Sequence, residues 1–411
     1  MYMVNKRDCF FFFFVVLSCL CACSDDSSSG SSVNGSDGGG SSAEISTNPE
    51  SSAAAVDTLV EYVEPPALSC ELVEGLQFKS SPELDTSYYI LSFGFYGDDL
   101  VAIPRYQSLH GFYGHENDPA VDSLYVKKNG LSSWQKYAAF EHYLYKQEGN
   151  KLCIVGDKLA LVRSDGWGDD SNREICHSHD ARNWECDSVH GEIFLTCDDK
   201  YFYKSENDKL YYSEDASVWN PIAFDFADGI HSINDAISND SAHFVLVGYW
   251  HPFKNDAGET VDVNWRTALL YSRDMVTWDT TYMMENIGWS LARIGDVYVS
   301  NVGWGGSGNL YYSKDLKNWT RVNLMNGDYW ANTLMREASM VVSNGVLVAV
   351  GTNGYVFTSR NGKDFKVQEA CGSKEDYVSV IADSKGNIYA LRGERFEGLY
   401  SGKYDILRVV E

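Results

Sequence analysis

The sequence predicts an all-β fold: a single seven-bladed β-propeller of four-stranded antiparallel blades, preceded by an export signal and a disordered tether. Three observations predict it. A Ser/Asp/Trp segment recurs from residue 124 onward. Most copies follow a pair of period-2 apolar runs joined by turn residues. The stretch before the first copy has a different composition, an apolar run followed by a Ser/Gly/Asp tract.

The recurring segment comes first, because a fixed repeat decides the fold before any single element does. Six copies align: LYVKKNGLSSWQKY (124–137), ICHSHDARNWECD (175–187), LYYSEDASVWNPI (210–222), LLYSRDMVTWDTT (269–281), LYYSKDLKNWTRV (310–322) and YVFTSRNGKDFKV (355–367). The shared core is an apolar pair, then Ser-x-Asp, three residues and Trp. Ser178/Asp180/Trp184, Ser213/Asp215/Trp219, Ser272/Asp274/Trp278 and Ser313/Asp315/Trp319 keep it in full. Ser359/Asn361/Phe365 substitutes two positions, Lys127/Asn129/Trp134 lacks the Ser, and LYSGKYDILRV (399–409) retains Ser401 alone. A carboxylate two residues after a Ser suits a hairpin turn, where it accepts backbone N–H bonds as an Asx-turn does. The Trp then packs beneath the turn.

The paired runs supply the other two strands. SLARIGDVYVSNV (290–302), ASMVVSNGVLVAVG (338–351) and YVSVIADSKGNIYALR (377–392) are examples, with Gly-Asp and Asn-Gly at the first two turns. Each unit reads strand a, turn, strand b, variable connection, strand c, box, strand d. The units fall at about 86–141, 142–187, 188–223, 228–284, 285–325, 330–370 and 374–411. Residues 66–85 are expected to add an outer strand that closes the ring.

The box resembles the Asp-box, or bacterial neuraminidase repeat, Ser-x-Asp-x-Gly-x-Thr-Trp, although Gly is mostly missing here. The resemblance implies a structural role for the boxes, away from the ligand face. It also raises a sialidase-like activity, which implies six blades, an Arg triad, a Tyr–Glu nucleophile pair, an Asp acid and an early Arg-Ile-Pro motif. This chain has VAIPRY (101–106), with the Arg after the Pro, and seven units.

The N-terminal region divides in two. Lys6 and Arg7 precede an apolar run from Cys9 to Ala22, too short to span a bilayer and suited to a signal peptide. Leu20-Cys21-Ala22-Cys23 resembles a bacterial lipobox, which implies a signal over 1–22, lipidation of Cys23, export and a lipid anchor in the cell envelope. Residues 23–65 form a Ser/Gly/Asp-rich linker too poor in apolar side chains to fold. The propeller occupies 66–411.

The formal net charge of -25, from 33 Lys+Arg against 58 Asp+Glu, argues against nucleic acid, which needs a cationic footprint. No cofactor or metal fingerprint is present. In such blades the a–b and c–d turns share one face, and the b–c and d–a connections the other. Long b–c connections fall at 107–122, 165–173, 251–266 and 303–309, and long loops on a rigid scaffold are where binding concentrates. Trp167, Trp250, Trp265, Trp289, Trp304 and Trp330 belong to that face, joined by Phe112, Tyr113 and Tyr329 as platforms for sugar rings. Arg105, Arg163, Arg336 and Arg392 could grip a carboxylate there or pair with neighbouring acids. Carboxylates for glycoside hydrolysis could come from Glu116, Asp118, Asp169, Asp170, Asp235, Asp328 or Asp376. Non-catalytic binding of a glycan or an envelope protein is the reading, with a sialidase-like hydrolase or an envelope scaffold as alternatives.

Six Cys lie beyond the lipobox, an even number in an exported chain. The expected pairs are Cys176–Cys186 across a box hairpin, Cys153–Cys197 between neighbouring blades, and Cys70–Cys371 as a ring staple.

Overall fold

The computed structural model describes residues 64–410, apart from 65–67, 78–85, 109–121, 131–132, 141–142, 145–151, 165–171, 190, 224–229, 240, 255–259, 284–286, 303–309, 325–339, 352–353, 370–374 and 397–398. The leader and the tether therefore lie outside the described residues. Seven sheets follow one another along the chain, and every a–b, b–c and c–d pairing within them is antiparallel. The inner strands of blades one to seven are Thr86–Tyr96, Cys153–Val155, Ile193–Cys197, Ser232–Ser238, Ile287–Ile294, Met340–Ser343 and Asp376–Ala382. Each touches the inner strand of the next blade, and the last touches the first. The ring is closed, and the unit boundaries agree within a few residues with those read from the repeat, except that Asn323–Leu324, expected in unit five, joins the sheet of blade six.

Two blades add a strand. In blade two the pieces Tyr143–Leu144 and Cys153–Val155 both pair with Lys158–Ser164. In blade six Asn323–Leu324 runs parallel to Asp364–Glu369 at the outer edge. Blade seven takes its outer strand from the other end of the chain. Ser69–Gln77 pairs with Leu399–Val410, with Ser69 opposite Val410 and Gln77 opposite Lys403. This explains the eroded seventh box: strand d of this blade is Ser69–Gln77, so there is no c–d hairpin for a carboxylate to organise.

The hydrophobic core is divided among the seams between blades. Seven apolar clusters occupy the seven interfaces, from Phe93/Ala102/Ile406 between blades seven and one to Val348/Tyr377/Leu407 between six and seven. The boxes build five of them. The residue immediately after the box Asp or Asn has a left-handed backbone: Ala181, Ala216, Met275, Leu316 and Gly362, with φ of 60–70°. Ala181, Ala216, Met275 and Leu316 are buried in the seam with the preceding blade. At Gly362 an added Cβ would lie 2.8 Å from Val297 and 2.9 Å from Ile294, so only glycine fits.

A left-handed non-glycine residue costs roughly 1–2 kcal/mol, more than the ~0.8 kcal/mol from burying one methyl group. Burial alone cannot hold Ala181 or Ala216 there. The box supplies the difference through hydrogen bonds. The buried hydroxyls of Ser213, Ser272 and Ser359 accept the N–H of Ala216, Met275 and Gly362 at 2.8–2.9 Å. The Asp carboxylate accepts the next two N–H groups: Asp180 from Arg182 and Asn183 at 2.8 and 2.7 Å, and Asp315 from Lys317 and Asn318 at 2.9 and 2.8 Å. The indoles of Trp184, Trp278 and Trp319 donate back to the carbonyl of the left-handed residue at 3.1–3.3 Å.

Three of the box aromatics expected to act alike, Trp134, Trp219 and Phe365, depart from this pattern, and the indole Nε1 of Trp134 is buried without a hydrogen-bond partner. Trp219 is half-buried against the seam of blades two and three, and its indole Nε1 is buried without a hydrogen-bond partner. Its ring instead faces the Lys204 ammonium, 4.9 Å from the centroid, so apolar packing and a cation–π contact hold it. Phe365 has no N–H to give. It is fully buried in the seam of blades five and six, beside Phe357 and Val367, and is held by packing alone. Phe365 also begins strand d one residue in, at Asp364–Glu369, where the backbone pairs with the added strand at Leu324. The constant requirement at this position is therefore an aromatic ring in the seam; the indole bond is an addition in three boxes.

The N–H donors around the box carboxylates lower their pKa values. The amides of Asn183 and Arg182 take Asp180 down to about 2. Asp274 and Asp315 are lowered in the same way, and at Asp215 the amides of Val218 and Ser217 outweigh partial burial. A carboxylate with a depressed folded pKa stabilises the fold fully above its unfolded value of about 3.9 and progressively less as pH falls toward the folded value. The melting temperature should therefore fall steeply between about pH 4 and pH 2. The Asp180→Asn/Asp215→Asn/Asp274→Asn/Asp315→Asn variant should fall less steeply, because Asn361 already makes the same two amide bonds at 2.9 Å without a charge. Equal slopes for the two proteins over that window would refute this account.

The closing strand gives a second expectation. A chain starting at Glu64 should melt like the full-length protein, whereas one starting after Gln77 should lose its cooperative melt by circular dichroism. A cooperative melt at the full-length temperature in the shorter chain would show that closure needs no outer strand.

Candidate functional face

The two faces of the ring differ in how their backbone is satisfied. On one face, a–b turns and boxes are short and internally bonded. Asp198 accepts the N–H of Lys200 and Tyr201, both at 2.7 Å; Asn239 accepts those of Ser241 and Ala242 at 2.8 and 2.9 Å; Asp383 accepts those of Lys385 and Asn387 at 2.9 and 2.8 Å. Asp198 is buried, and its second oxygen accepts the Tyr203 hydroxyl and meets His243 Nδ1 of blade four, each at 2.8 Å. A shallow cleft of about 300 Å³ beside it is lined by Asp157, Lys158, Asp199 and Glu214, with Lys158 Nζ donating to the Glu214 carbonyl at 2.9 Å.

The opposite face carries the b–c and d–a connections. Glu116, Asp118, Phe112, Tyr113, Trp167, Asp169, Asp170, Trp304, Asp328, Tyr329, Trp330 and Arg336 fall there by sequence and lie outside the described residues. The connection expected over 251–266 is mostly not a loop. Strands His243–Lys254 and Thr260–Ser272 continue past the rest of blade four as a two-stranded ribbon, in register from Tyr249 opposite Arg266 to Lys254 opposite Thr260. Strand a stops pairing at Gly248, and strand d at Ala268. Trp250 and Trp265 are direct cross-strand partners in this ribbon. Trp289 lies in the inner strand of blade five, at an irregularity between Ile287 and Leu291. Arg105 lies in strand b of blade one opposite Tyr89.

Of the candidate arginines, Arg163 and Arg392 are held by acids of their own chain. Arg163 pairs with its cross-strand neighbour Glu174. Arg392 donates to Asp405, its cross-strand neighbour, at 2.6 Å and lies 3.0 Å from Glu375. The expectation that these two grip a ligand carboxylate gives way to the pairing alternative: each sits beside an acid on the adjacent strand. Burial beside this group pushes the Tyr377 hydroxyl up to about 12. Asp235 is also engaged, accepting Leu291 N–H from blade five at 2.9 Å and Ala236 N–H at 3.0 Å, so it joins two blades. Asp376 is buried at the start of strand a of blade seven.

Cys176–Cys186 forms the expected cross-strand disulfide. Glu174 lies near both sulfurs, but the disulfide leaves no thiolate for a metal and Glu174 pairs with Arg163. Cys70 is disulfide-bonded, with its partner outside the described residues, as Cys371 is. Cys153 and Cys197 are not bridged, contrary to expectation. They share the apolar cluster of the second seam, where both behave as small hydrophobic residues.

One group on this face escaped the sequence reading. Between blades three and four a cleft of about 220 Å³ is lined by Glu192, Phe194, Ser205, Asn207, Asp208 and Ile230. His231 Nδ1 lies 3.4 Å from the Glu192 carboxylate, at its edge. Asn207-Asp208 is the short b–c turn of blade three, with φ of 50 and 63°. Nothing in its sequence separates it from an ordinary hairpin turn.

No family model matches the chain, and no curated protein matches it in sequence. Among solved structures it is similar to YCF48 bound to D1 peptide, at 12% identity over 85% of this chain and 100% of that one, with a TM-score of 0.46. The GH93 α-L-arabinofuranosidase of Fusarium graminearum matches at 12% identity over 83% and 98%, with a TM-score of 0.46. BamB from Moraxella catarrhalis matches at 9% over 82% and 99%, with a TM-score of 0.45. Likeness at this level carries no function across.

Arg392→Met should lower the unfolding free energy by roughly 2 kcal/mol, less than the ~3–5 of a fully buried pair, because Asp405 and Glu375 keep 33 and 35% of their side-chain surface. Urea melts measure this, and an unchanged midpoint would return Arg392 to the list of ligand-binding candidates.

Proposed function

We propose that the propeller is a non-catalytic binding module that takes a glycan or protein ligand on the face of the b–c and d–a connections. In this reading lipidated Cys23 holds it at the cell envelope, and the Ser/Gly/Asp linker lets it stand off the membrane. The observation that carries the reading is the asymmetry of the two faces. One is closed by short turns whose N–H donors are consumed by Asp and Asn side chains. The other carries the ribbon of blade four with its Trp250–Trp265 pair, together with the longest connections of the chain. Aromatic residues on a rigid element can supply contact area to a sugar ring or a partner surface at small entropic cost. Two of the four arginines that would have favoured an acidic sugar, Arg163 and Arg392, already pair with acids of the chain.

A glycan array, a panel of nitrophenyl glycosides and membrane fractionation test this together. The expected result is binding without turnover, weakened at least tenfold in Trp250→Ala/Trp265→Ala, and release of the Cys23→Ser protein from membranes. Turnover abolished by a single carboxylate substitution would replace binding with catalysis, and membrane retention of Cys23→Ser would remove the lipid anchor.

A further inference from the structure

We propose that the cleft between blades three and four binds one uncharged sugar ring, as the terminal unit of a glycan. This rests on the reading that the b–c/d–a face is the ligand face, and it adds the position and class of the ligand.

The cleft is a built site. Its floor is Ser205, 2% exposed, in strand b of blade three. Ser205 is the cross-strand partner of both Phe194 and Leu210, which belong to the third seam cluster. Directly opposite residues share a sheet face, so the hydroxyl stands on the seam side. Its Oγ is buried and has no hydrogen-bond partner. A buried hydroxyl left unpaired is unfavourable and calls for an explanation, and a hydroxyl of a bound ligand would pair it.

The surroundings define the ligand. Glu192 and Asp208 present carboxylates and Asn207 an amide, while the buried side chains of Phe194 and Ile230 supply an apolar wall. Carboxylates only accept, so the ligand must bring several hydrogen donors and an apolar face. A sugar ring has both. Two carboxylates repel a third, which excludes sialic and uronic acids. The volume of about 220 Å³ is below the ~300–1,000 Å³ of drug-sized sites and admits a single ring. The rim is fixed from behind. Gly191 has φ of 96°, and a Cβ there would lie 2.5 Å from Asn207 Oδ1, so glycine leaves room for that side chain. The Gly191 carbonyl accepts Arg173 Nη1, from a fully buried side chain, at 2.8 Å.

Saturation-transfer NMR and calorimetry on the full chain test the proposal. The probes are glucose, galactose, mannose, fucose and N-acetylglucosamine, set against glucuronic and N-acetylneuraminic acids. The variants are Ser205→Ala, which keeps the seam apolar, and Asp208→Asn, which tolerates the left-handed backbone. At least one neutral sugar should bind, neither acid should, and each variant should weaken binding roughly five- to tenfold with an unchanged melting temperature. Glycan binding that survives both variants but is lost in Trp250→Ala/Trp265→Ala would overturn this site and leave the binding module intact. Binding of the acids alone would overturn it too. So would stabilisation by calcium, absent in Asp208→Asn and with no response to sugars. No binding of any glycan would overturn both this site and the glycan form of the broader reading.

Discussion

The structure depends on the packing of each blade against the one before it. A single four-stranded sheet has two apolar faces and cannot bury either alone. Here each interface holds one cluster, and the box places two of its residues, a left-handed one and an aromatic ring, in five of them. Because the inner strands also meet around the ring, every blade is buried on both faces only when all seven are present. Closure is a condition of stability, and the borrowed strand Ser69–Gln77 meets it at the one interface that has no box.

The same constraint shapes the two faces. Insertion of the left-handed residue requires a tight turn with its N–H groups bonded, so the box face is saturated by its own side chains. The a–b turns there follow suit, with Asp198, Asn239 and Asp383 doing for them what the box Asp does for c–d. The connections at the other face carry no such repeated turn chemistry; where they reach a seam, as at Leu152 and Ile230, they do so as single apolar side chains.

This explains how much the sequence disclosed. Ser178, Asp180 and Trp184 are legible because hydrogen-bond chemistry dictates residue type at each place, and their spacing fixed the blade count and boundaries. Where the chemistry relaxes, the signal does too: Phe365 fills its seam without an indole bond, and Trp219 keeps an indole that makes none. The residue after the Asp was not legible. It is Ala, Ala, Met, Leu or Gly, because its requirement is a backbone angle and a slot of variable size. The ribbon of blade four was mistaken for a loop because His251, Pro252 and Asn264 interrupt its alternation, while its register is set by blade four itself. The arginines were legible as a group but not in role, since Glu174 and Asp405 become their neighbours only through strand register. Ser205 gave no signal, because a Ser in an alternating strand is ordinary until its partners are counted.

The described start of the chain explains how the closing strand is held. Glu64 pairs with Lys366 at 3.1 Å, and the Leu68 carbonyl accepts Gln368 Nε2 at 3.3 Å. Both partners lie in the strand Asp364–Glu369 of blade six, next to the outer edge. The chain thus enters along the outer edge of blade six and then becomes the outermost strand of blade seven. That outer strand pairs with Leu399–Val410 with one irregularity, between Leu72 and Glu74, and carries the disulfide-bonded Cys70, so a ladder and a covalent link both hold it to the ring.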